Sequence, residues 1–164
     1  MSKKDLQGVT VLVVDDDADA RDVLRQMVVW LGATVHTARG GVEALAWLDT
    51  HTPDLLLLDL RMPDLDGVAV LECLRAQDRF RKLRAIAVTA LGSDADVMRT
   101  WEAGFDGHLV KPVDLETLAA ALNRAFWAHS GEVRFAVSHA ATRTTGRPRT
   151  RALRVVDSKR RRAS

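Results

Sequence analysis

Three aspartates at the ends of two apolar runs carry the chemistry that this sequence offers. The β-branched run from Val9 to Val14 ends in Asp15 and Asp16, and four leucines, Leu55 to Leu58, end in Asp59. Carboxylates that crowd together repel one another, so each tends to take up a proton unless a cation relieves the repulsion. Oxygen ligands suit Mg²⁺, which keeps several waters and needs only a few carboxylates. If these strand ends meet, they predict a magnesium site.

Two more polar side chains stand at the ends of strand-like runs. The run from Leu83 ends in Thr89, and the run around His108 to Val110 ends in Lys111. A lysine and a hydroxyl beside a bound cation can hold the oxygens of a transferred phosphoryl group. The combination therefore favours phosphoryl transfer.

These side chains meet only if their strands run parallel, and the intervening sequence indicates that they do. Apolar residues recur at helical spacing between the runs, Gly32 and Gly104 are typical helix ends, and Asp66 and Asp114 are typical caps. Five strand and helix units predict an α/β fold with a doubly wound, five-stranded parallel sheet. The carboxyl ends of such strands share one edge of the sheet.

The sequence resembles the receiver domain of two-component response regulators over roughly residues 8–127. Any one of the matching pieces is weak alone, but their order and spacing together are specific. They are Val13-Val14-Asp15-Asp16-Asp17, the pattern D-x-x-M-P-x-x-D-G from Asp59 to Gly67, Thr89-Ala90, and Lys111-Pro112. The resemblance implies a CheY-like, flavodoxin-like (βα)5 fold.

The resemblance also implies a role for each site residue. Asp59 would accept a phosphoryl group from a histidine kinase or a histidine phosphotransfer protein. Asp15 and Asp16 would hold Mg²⁺ with Asp59, the backbone carbonyl of Arg61 and water. Lys111 would pair with Asp59 and later with a phosphoryl oxygen.

The implied output is a switch on one surface of the domain. Thr89, which precedes Ala90, would swing toward the phosphoryl group, and the Lys111-Pro112 bond would be cis. The fourth helix, fifth strand and fifth helix would change shape and be read by a downstream protein partner or by a second copy of the chain. His108 occupies a position where the family commonly has Tyr or Phe, and its protonation could bias the switch.

Charge divides the chain of 164 residues into two unlike parts. Residues 1–128 carry 14 Lys and Arg against 20 Asp and Glu, whereas residues 129–164 carry 10 against 2. We expect a receiver domain over 1–128 and a basic, disordered tail over 129–164, too short for a DNA-reading output domain. The tail is interpreted as a solvated extension, and binding of nucleic acid or an acidic partner is the alternative.

Other functional classes are less well supported. A haloacid-dehalogenase-type phosphatase would need a second aspartate two residues after the nucleophile, and Arg61 stands there. We therefore expect a signalling switch that catalyses only its own phosphorylation and dephosphorylation, not an enzyme acting on other substrates. No apolar run approaches the roughly 18 residues of a membrane span, and the amino terminus does not resemble a signal peptide. Cys73 is the only cysteine, and we expect it to pack within a helix. A single cysteine agrees with a reducing compartment, so a cytoplasmic location is predicted.

Overall fold

The computed structural model describes residues 6–127, 135–137 and 154–155. From β1 to α5, strands and helices follow one another in the alternating order that the sequence predicts. In chain order they are β1 (Thr10–Val14), α1 (Ala18–Trp30), β2 (Thr34–Ala38), α2 (Gly41–Leu48), β3 (Leu55–Leu58), α3 (Gly67–Arg75), a 3-10 turn (Asp78–Phe80), β4 (Arg84–Thr89), α4 (Asp94–Ala103), β5 (Gly107–Val110), α5 (Leu115–Trp127), β6 (Phe135–Val137) and β7 (Arg154–Val155).

The strands form one sheet in the order β2-β1-β3-β4-β5-β6-β7. Strands β1 to β5 pair in parallel, and a helix connects each of them to the next. The predicted doubly wound, flavodoxin-like sheet of five parallel strands is therefore confirmed. Its bounds differ by one residue, since β1 begins at Thr10 and β4 at Arg84.

The central strand β3 is buried on both faces. Leu55 and Leu57 belong to the apolar cluster that includes residues of α1 and α5, whereas Leu56 and Leu58 belong to the cluster that includes residues of α2 and α3. Successive side chains of a strand alternate between faces, so the leucines fill both sides of the sheet. Burial of each leucine contributes about 1.5–3 kcal/mol. Asp59 therefore follows a firmly held strand.

Side-chain caps fix where the helices begin at the site edge. Asp17 caps α1, Asp66 caps α3, and Ser93 forms a capping box with Asp96 at the start of α4. Each cap satisfies a backbone N–H that has no partner within the helix. The helix start predicted at Asp66 is thus confirmed, and Gly104 ends α4 in the left-handed conformation expected of a helix-ending glycine.

The packing predicted for Cys73 is wrong, because its side chain is exposed. On α3 the buried stripe runs through Val70, Leu71 and Leu74. These positions follow the three-and-four spacing of one helix face. Cys73 lies outside that stripe, so an apolar surrounding sequence does not bury it.

Two short strands extend the sheet beyond β5. β6 pairs with β5 in parallel, and β7 pairs with β6 antiparallel. The sequence did not predict either strand. The remaining residues of the predicted disordered tail, 129–134, 138–153 and 156–164, lie outside the described part of the chain.

Candidate functional site

Three carboxylates meet at the carboxyl edge of the sheet, where the sequence predicts them. Carboxylate oxygens of Asp15, Asp16 and Asp59 lie within 4.8 Å of one another. Asp15 is fully buried, Asp59 is 7% exposed, and Asp16 is exposed. The cluster therefore has a rigid buried side and an open side through which an ion or a phosphodonor can approach.

Backbone hydrogen bonds between neighbouring strands align these residues. The Asp59 N–H donates to the Val14 carbonyl at 2.9 Å, which places Asp59 beside the turn that starts at Asp15. On the other side of β3, the Lys111 N–H donates to the Thr89 carbonyl at 2.8 Å. The ends of four strands thus supply one continuous polar edge.

The loop after Asp59 folds back against the end of β3, and this close approach requires a residue without a Cβ at position 67. The Gly67 N–H donates to the Leu60 carbonyl at 2.8 Å, and a Cβ at position 67 would collide with the carbonyl oxygen of Asp59. Any larger residue would therefore push the loop away from Asp59. This close approach gives the glycine of the D-x-x-M-P-x-x-D-G pattern a physical reason.

Asp64 fastens the same loop to α2, a role that the sequence reasoning missed. Gly40 gives α2 no side-chain cap. The Asp64 carboxylate instead accepts hydrogen bonds from the backbone N–H groups of Gly41 at 3.2 Å and Val42 at 2.9 Å. Because this cap comes from 22 and 23 positions further along the chain, no local capping pattern signals it.

Lys111 lies between two of the carboxylates. Its Nζ is 2.6 Å from Asp15 Oδ2 and 3.6 Å from Asp59 Oδ2. Burial lowers the pKa of Lys111, but the hydrogen bond to Asp15 and the charge of Asp59 outweigh burial and leave this pKa above its ordinary value. The lysine is therefore a fixed cation at this edge.

The electrostatics at Asp59 are less favourable. Its pKa is raised, first because the carboxyl is buried and then because Asp15 and Asp16 are close, while Lys111 acts in the opposite direction. The charged form of Lys111 is thus stabilised by its two carboxylate neighbours, whereas the negative charge of Asp59 is only partly neutralised. Burial is the largest cause of the raised pKa, and Lys111, which lies 3.6 Å from Asp59 and 2.6 Å from Asp15, offsets it only in part. A second cation beside Asp59 would relieve the imbalance.

Thr89 is buried at the end of β4, and its hydroxyl is engaged by the following loop. The Thr89 Oγ1 accepts a hydrogen bond from the Leu91 N–H at 3.3 Å. This bond is long, so it is a weak restraint on the hydroxyl. The loop between β4 and α4 therefore starts from a residue that a stronger partner could reorient.

The buried side chain of His108 contacts that loop from the interior of the domain. The imidazole is fully buried. Its Nε2 contacts the Leu91 carbonyl at 2.7 Å, and its Nδ1 contacts Thr100 Oγ1 at 3.0 Å. Because a carbonyl only accepts, Nε2 must carry a hydrogen. His108 thus joins β5 to both the loop after Thr89 and the helix α4.

Burial governs the protonation of this histidine. It lowers the pKa of His108, and the Leu91 carbonyl and the charge of Asp96 on α4 oppose the change only in part. The sequence indicated a residue on the output surface, but its side chain points into the domain. The partners Leu91 and Thr100 were not identified from the sequence, because nothing in their types marks them as partners of an imidazole.

The remaining predicted residues flank the site. Arg61 follows Asp59 on the loop with an exposed side chain, and Ala90 and Pro112 are also exposed. The Lys111–Pro112 peptide bond is cis, in agreement with the expectation from the resemblance.

Comparison with known families agrees with this geometry. Residues 11–123 match the response regulator receiver domain. The chain belongs to this family, and it therefore carries a phospho-accepting receiver domain of two-component signalling. This assignment does not favour the phosphatase alternative, for which Arg61 was already the wrong residue.

Individual relatives are similar over the same part of the chain. Response regulator MprA of Mycobacterium ulcerans is 40% identical over 115 residues, which are 70% of this chain and 49% of MprA. An uncharacterised 14.6 kDa protein of Leptolyngbya boryana is 40% identical over 109 residues, 66% of this chain and 83% of that protein. This chain thus matches about half the length of MprA and most of the shorter relative.

Solved structures show the same fold. The chemotaxis protein CheY4 of Vibrio cholerae superposes with a TM-score of 0.68 at 30% identity, covering 71% of this chain and 98% of CheY4. The receiver domain of the Francisella response regulator 1452 gives a TM-score of 0.68 at 29% identity, covering 73% of this chain and 98% of that domain.

Proposed function

We propose that Asp59 is the phosphoacceptor and that a histidine kinase or a histidine phosphotransfer protein supplies the phosphoryl group. The observation that carries this proposal is the placement of Asp59 at the end of a buried strand, within 4.8 Å of two other carboxylates and 3.6 Å from Lys111. Such a carboxylate is rigidly held, and it can be reached from the open side of the cluster.

The carboxylates fit Mg²⁺ as the cation of this site. They form an all-oxygen donor set with one exposed member, which leaves room for the waters that Mg²⁺ retains. The raised pKa of Asp59 reflects uncompensated negative charge, which a divalent cation would neutralise. Asp15, Asp16, Asp59 and the backbone carbonyl of Arg61 are the proposed ligands, and Mg²⁺ bound there would stabilise charge on phosphoryl oxygens.

The chemistry of transfer follows from the placement of the residues. A carboxylate oxygen of Asp59 attacks the phosphorus of a phosphohistidine, the phosphorus–nitrogen bond breaks, and the imidazole leaves as an acyl phosphate forms. Lys111 Nζ then donates to a phosphoryl oxygen. Attack by water on the phosphorus later returns the Asp59 carboxylate and inorganic phosphate.

We propose that Thr89 and His108 transmit the effect of phosphorylation to the surface of the domain. A phosphoryl group adds nearly two negative charges and three strong acceptors, to one of which the Thr89 O–H can donate. A move of Thr89 toward the phosphoryl group would break the long bond that its Oγ1 accepts from the Leu91 N–H. Movement of Thr89 shifts the loop whose Leu91 carbonyl is bonded to His108. We propose that the surface of α4, β5 and α5 is thereby altered and is read by a downstream protein partner, with a homodimer as the alternative.

The proposed location of this activity is the cytoplasm, as expected from the sequence. Within the described ranges, no helix has the length and apolar character needed to cross a bilayer. Binding of nucleic acid or an acidic partner through the basic tail stays an untested alternative from the sequence.

Labelling by a small phosphodonor tests the central proposal. Acetyl phosphate with Mg²⁺ should phosphorylate the protein once, as measured by intact mass spectrometry. Asp59→Asn should abolish the label, whereas Asp49→Asn, a change at an exposed aspartate, should not. Persistent stoichiometric labelling of Asp59→Asn would reject Asp59 as the acceptor.

A further inference from the structure

The edge of β5 is occupied by a segment of the same chain. In the parallel pairing of β6 with β5, Phe135 lies opposite Gly107, Ala136 opposite His108, and Val137 opposite Leu109. A strand at the edge of a sheet presents unpaired N–H and C=O groups, which accept another strand. β6 covers this edge over three of the four residues of β5.

The connection to β6 is of the kind that parallel strands require. β5 is followed by α5, which ends at Trp127, and the chain returns to the sheet at Phe135. A helix between two adjacent parallel strands is the usual crossover. β6 therefore continues the alternation of the receiver fold by one further strand.

The attachment of β6 is small enough to be reversible. The strand has three residues, and each backbone hydrogen bond contributes only about 0.5–1.5 kcal/mol net. A competing interface of ordinary size can offset such a contribution.

The position of β6 relates it to the output surface. β5 carries His108, and α4 packs against β5. Ala136 is aligned with His108, whose side chain is bonded to the loop after Thr89. Any partner that approaches the α4, β5 and α5 surface along this side of the sheet meets β6, and β7 beside it, before it reaches β5.

We propose that Phe135–Val137 is an intramolecular cap on the edge of β5, which closes this part of the output surface in the resting protein and is released when Asp59 is phosphorylated. The existence of the cap does not depend on the proposed function. The release of the cap does, because it rests on phosphorylation of Asp59. A partner could then reach this part of the output surface only after β6, a segment of the same chain, has been released.

Amide hydrogen exchange on the full chain tests the cap. Ala136→Pro removes a backbone N–H and places proline inside a strand, where it is disfavoured. It should accelerate exchange of residues 107–110 several-fold relative to the wild type. Thr145→Pro, a matched proline outside the described strands, should leave that exchange unchanged. Equal exchange of residues 107–110 in all three proteins would overturn the proposal.

A second arm tests release. Beryllofluoride with Mg²⁺, a phosphoryl analogue, should accelerate exchange of residues 135–137 in the wild type and not in Asp59→Asn. If the analogue binds, as followed by tryptophan fluorescence, and residues 135–137 remain protected, then β6 is a permanent sixth strand and the proposed release is wrong. If the analogue does not bind and acetyl phosphate gives no label, the proposed function fails, release fails with it, and the first arm still decides whether the cap exists.

Discussion

The ammonium of Lys111 lies 2.6 Å from Asp15 and 3.6 Å from Asp59. The lysine is therefore held mainly by the fully buried Asp15 carboxylate, and Asp59 is its secondary partner. A phosphoryl group on Asp59 would change this balance, because its oxygens carry more charge than the carboxylate they replace.

Loss of Lys111 should destabilise the protein in the absence of Mg²⁺. Lys111→Met leaves Asp15 buried without its closest cation, and breaking a buried ion pair in this way costs about 3–5 kcal/mol. Because the Lys111 side chain is 25% exposed, we expect a smaller loss of about 2 kcal/mol in the free energy of unfolding, measured in urea. Lys82→Met, at an exposed lysine, should change stability by less than about 0.5 kcal/mol. Equal effects of the two substitutions would contradict the role of Lys111.

The raised pKa of Asp59 predicts a pH-dependent stability. The folded protein binds a proton at Asp59 more readily than the unfolded chain does, so this group disfavours folding increasingly as pH rises through its raised pKa. Without Mg²⁺, Asp59→Asn should therefore be more stable than the wild type at pH 7, and the difference should disappear well below the ordinary carboxyl pKa of 3.8. Urea unfolding at several pH values measures both effects. A wild type more stable than Asp59→Asn at pH 7 would refute the prediction.

Asp16 is expected to contribute to metal affinity more than to folding, because it is the exposed member of the carboxylate cluster. Asp16→Ala should weaken Mg²⁺ binding about tenfold or more, which corresponds to ~1.4 kcal/mol, with little change in unfolding. Titration followed by tryptophan fluorescence or calorimetry provides the affinity. Asp49→Ala is the matched control, and the same Mg²⁺ affinity in both variants would remove Asp16 from the site.

His108 should make stability fall in mildly acidic solution. Its pKa in the folded protein is below the ordinary value of 6.5, chiefly because the imidazole is buried. The unfolded chain therefore binds more protons below about pH 6.5, and the contribution of neutral His108 to stability is lost as the pH falls. His108→Gln, which retains a hydrogen-bond donor, should show a weaker pH dependence than the wild type.

The control for His108 is another histidine with an exposed side chain. His51→Gln should retain the wild-type dependence between pH 7 and pH 5. The measurement is the free energy of unfolding at each pH. If His108→Gln and His51→Gln follow the same curve, titration of His108 does not contribute to stability.

The strand-end residues of the site could be predicted because they follow from topology alone. Asp15, Asp59, Thr89 and Lys111 each end an apolar run, and parallel strands bring such ends to one edge. What the sequence could not provide was which carboxylate the lysine prefers, since this depends on differences of about 1 Å between side-chain positions.

The inward position of His108 and the strand β6 could not be predicted for a different reason. The partner of His108 is a backbone carbonyl of a loop, and every residue type has such a carbonyl. β6 consists of three residues inside a basic, polar segment, too few to establish an alternating pattern. Both features depend on contacts between segments distant in the sequence.

If Asp59 is phosphorylated as proposed, the structural change should extend beyond Asp59 itself. The Thr89 hydroxyl accepts a long hydrogen bond from the Leu91 N–H, and the Leu91 carbonyl is bonded to His108, which in turn contacts Thr100 on α4. Recruitment of Thr89 to a phosphoryl oxygen should therefore loosen or repack this connected set. With beryllofluoride and Mg²⁺, we expect hydrogen exchange to change at residues 92–122 as well as in the loops after Asp59 and Thr89. Asp59→Asn should show neither change. If the changes remain confined to the two loops, the domain stores a phosphoryl group without transmitting its presence, and the proposed switch is wrong.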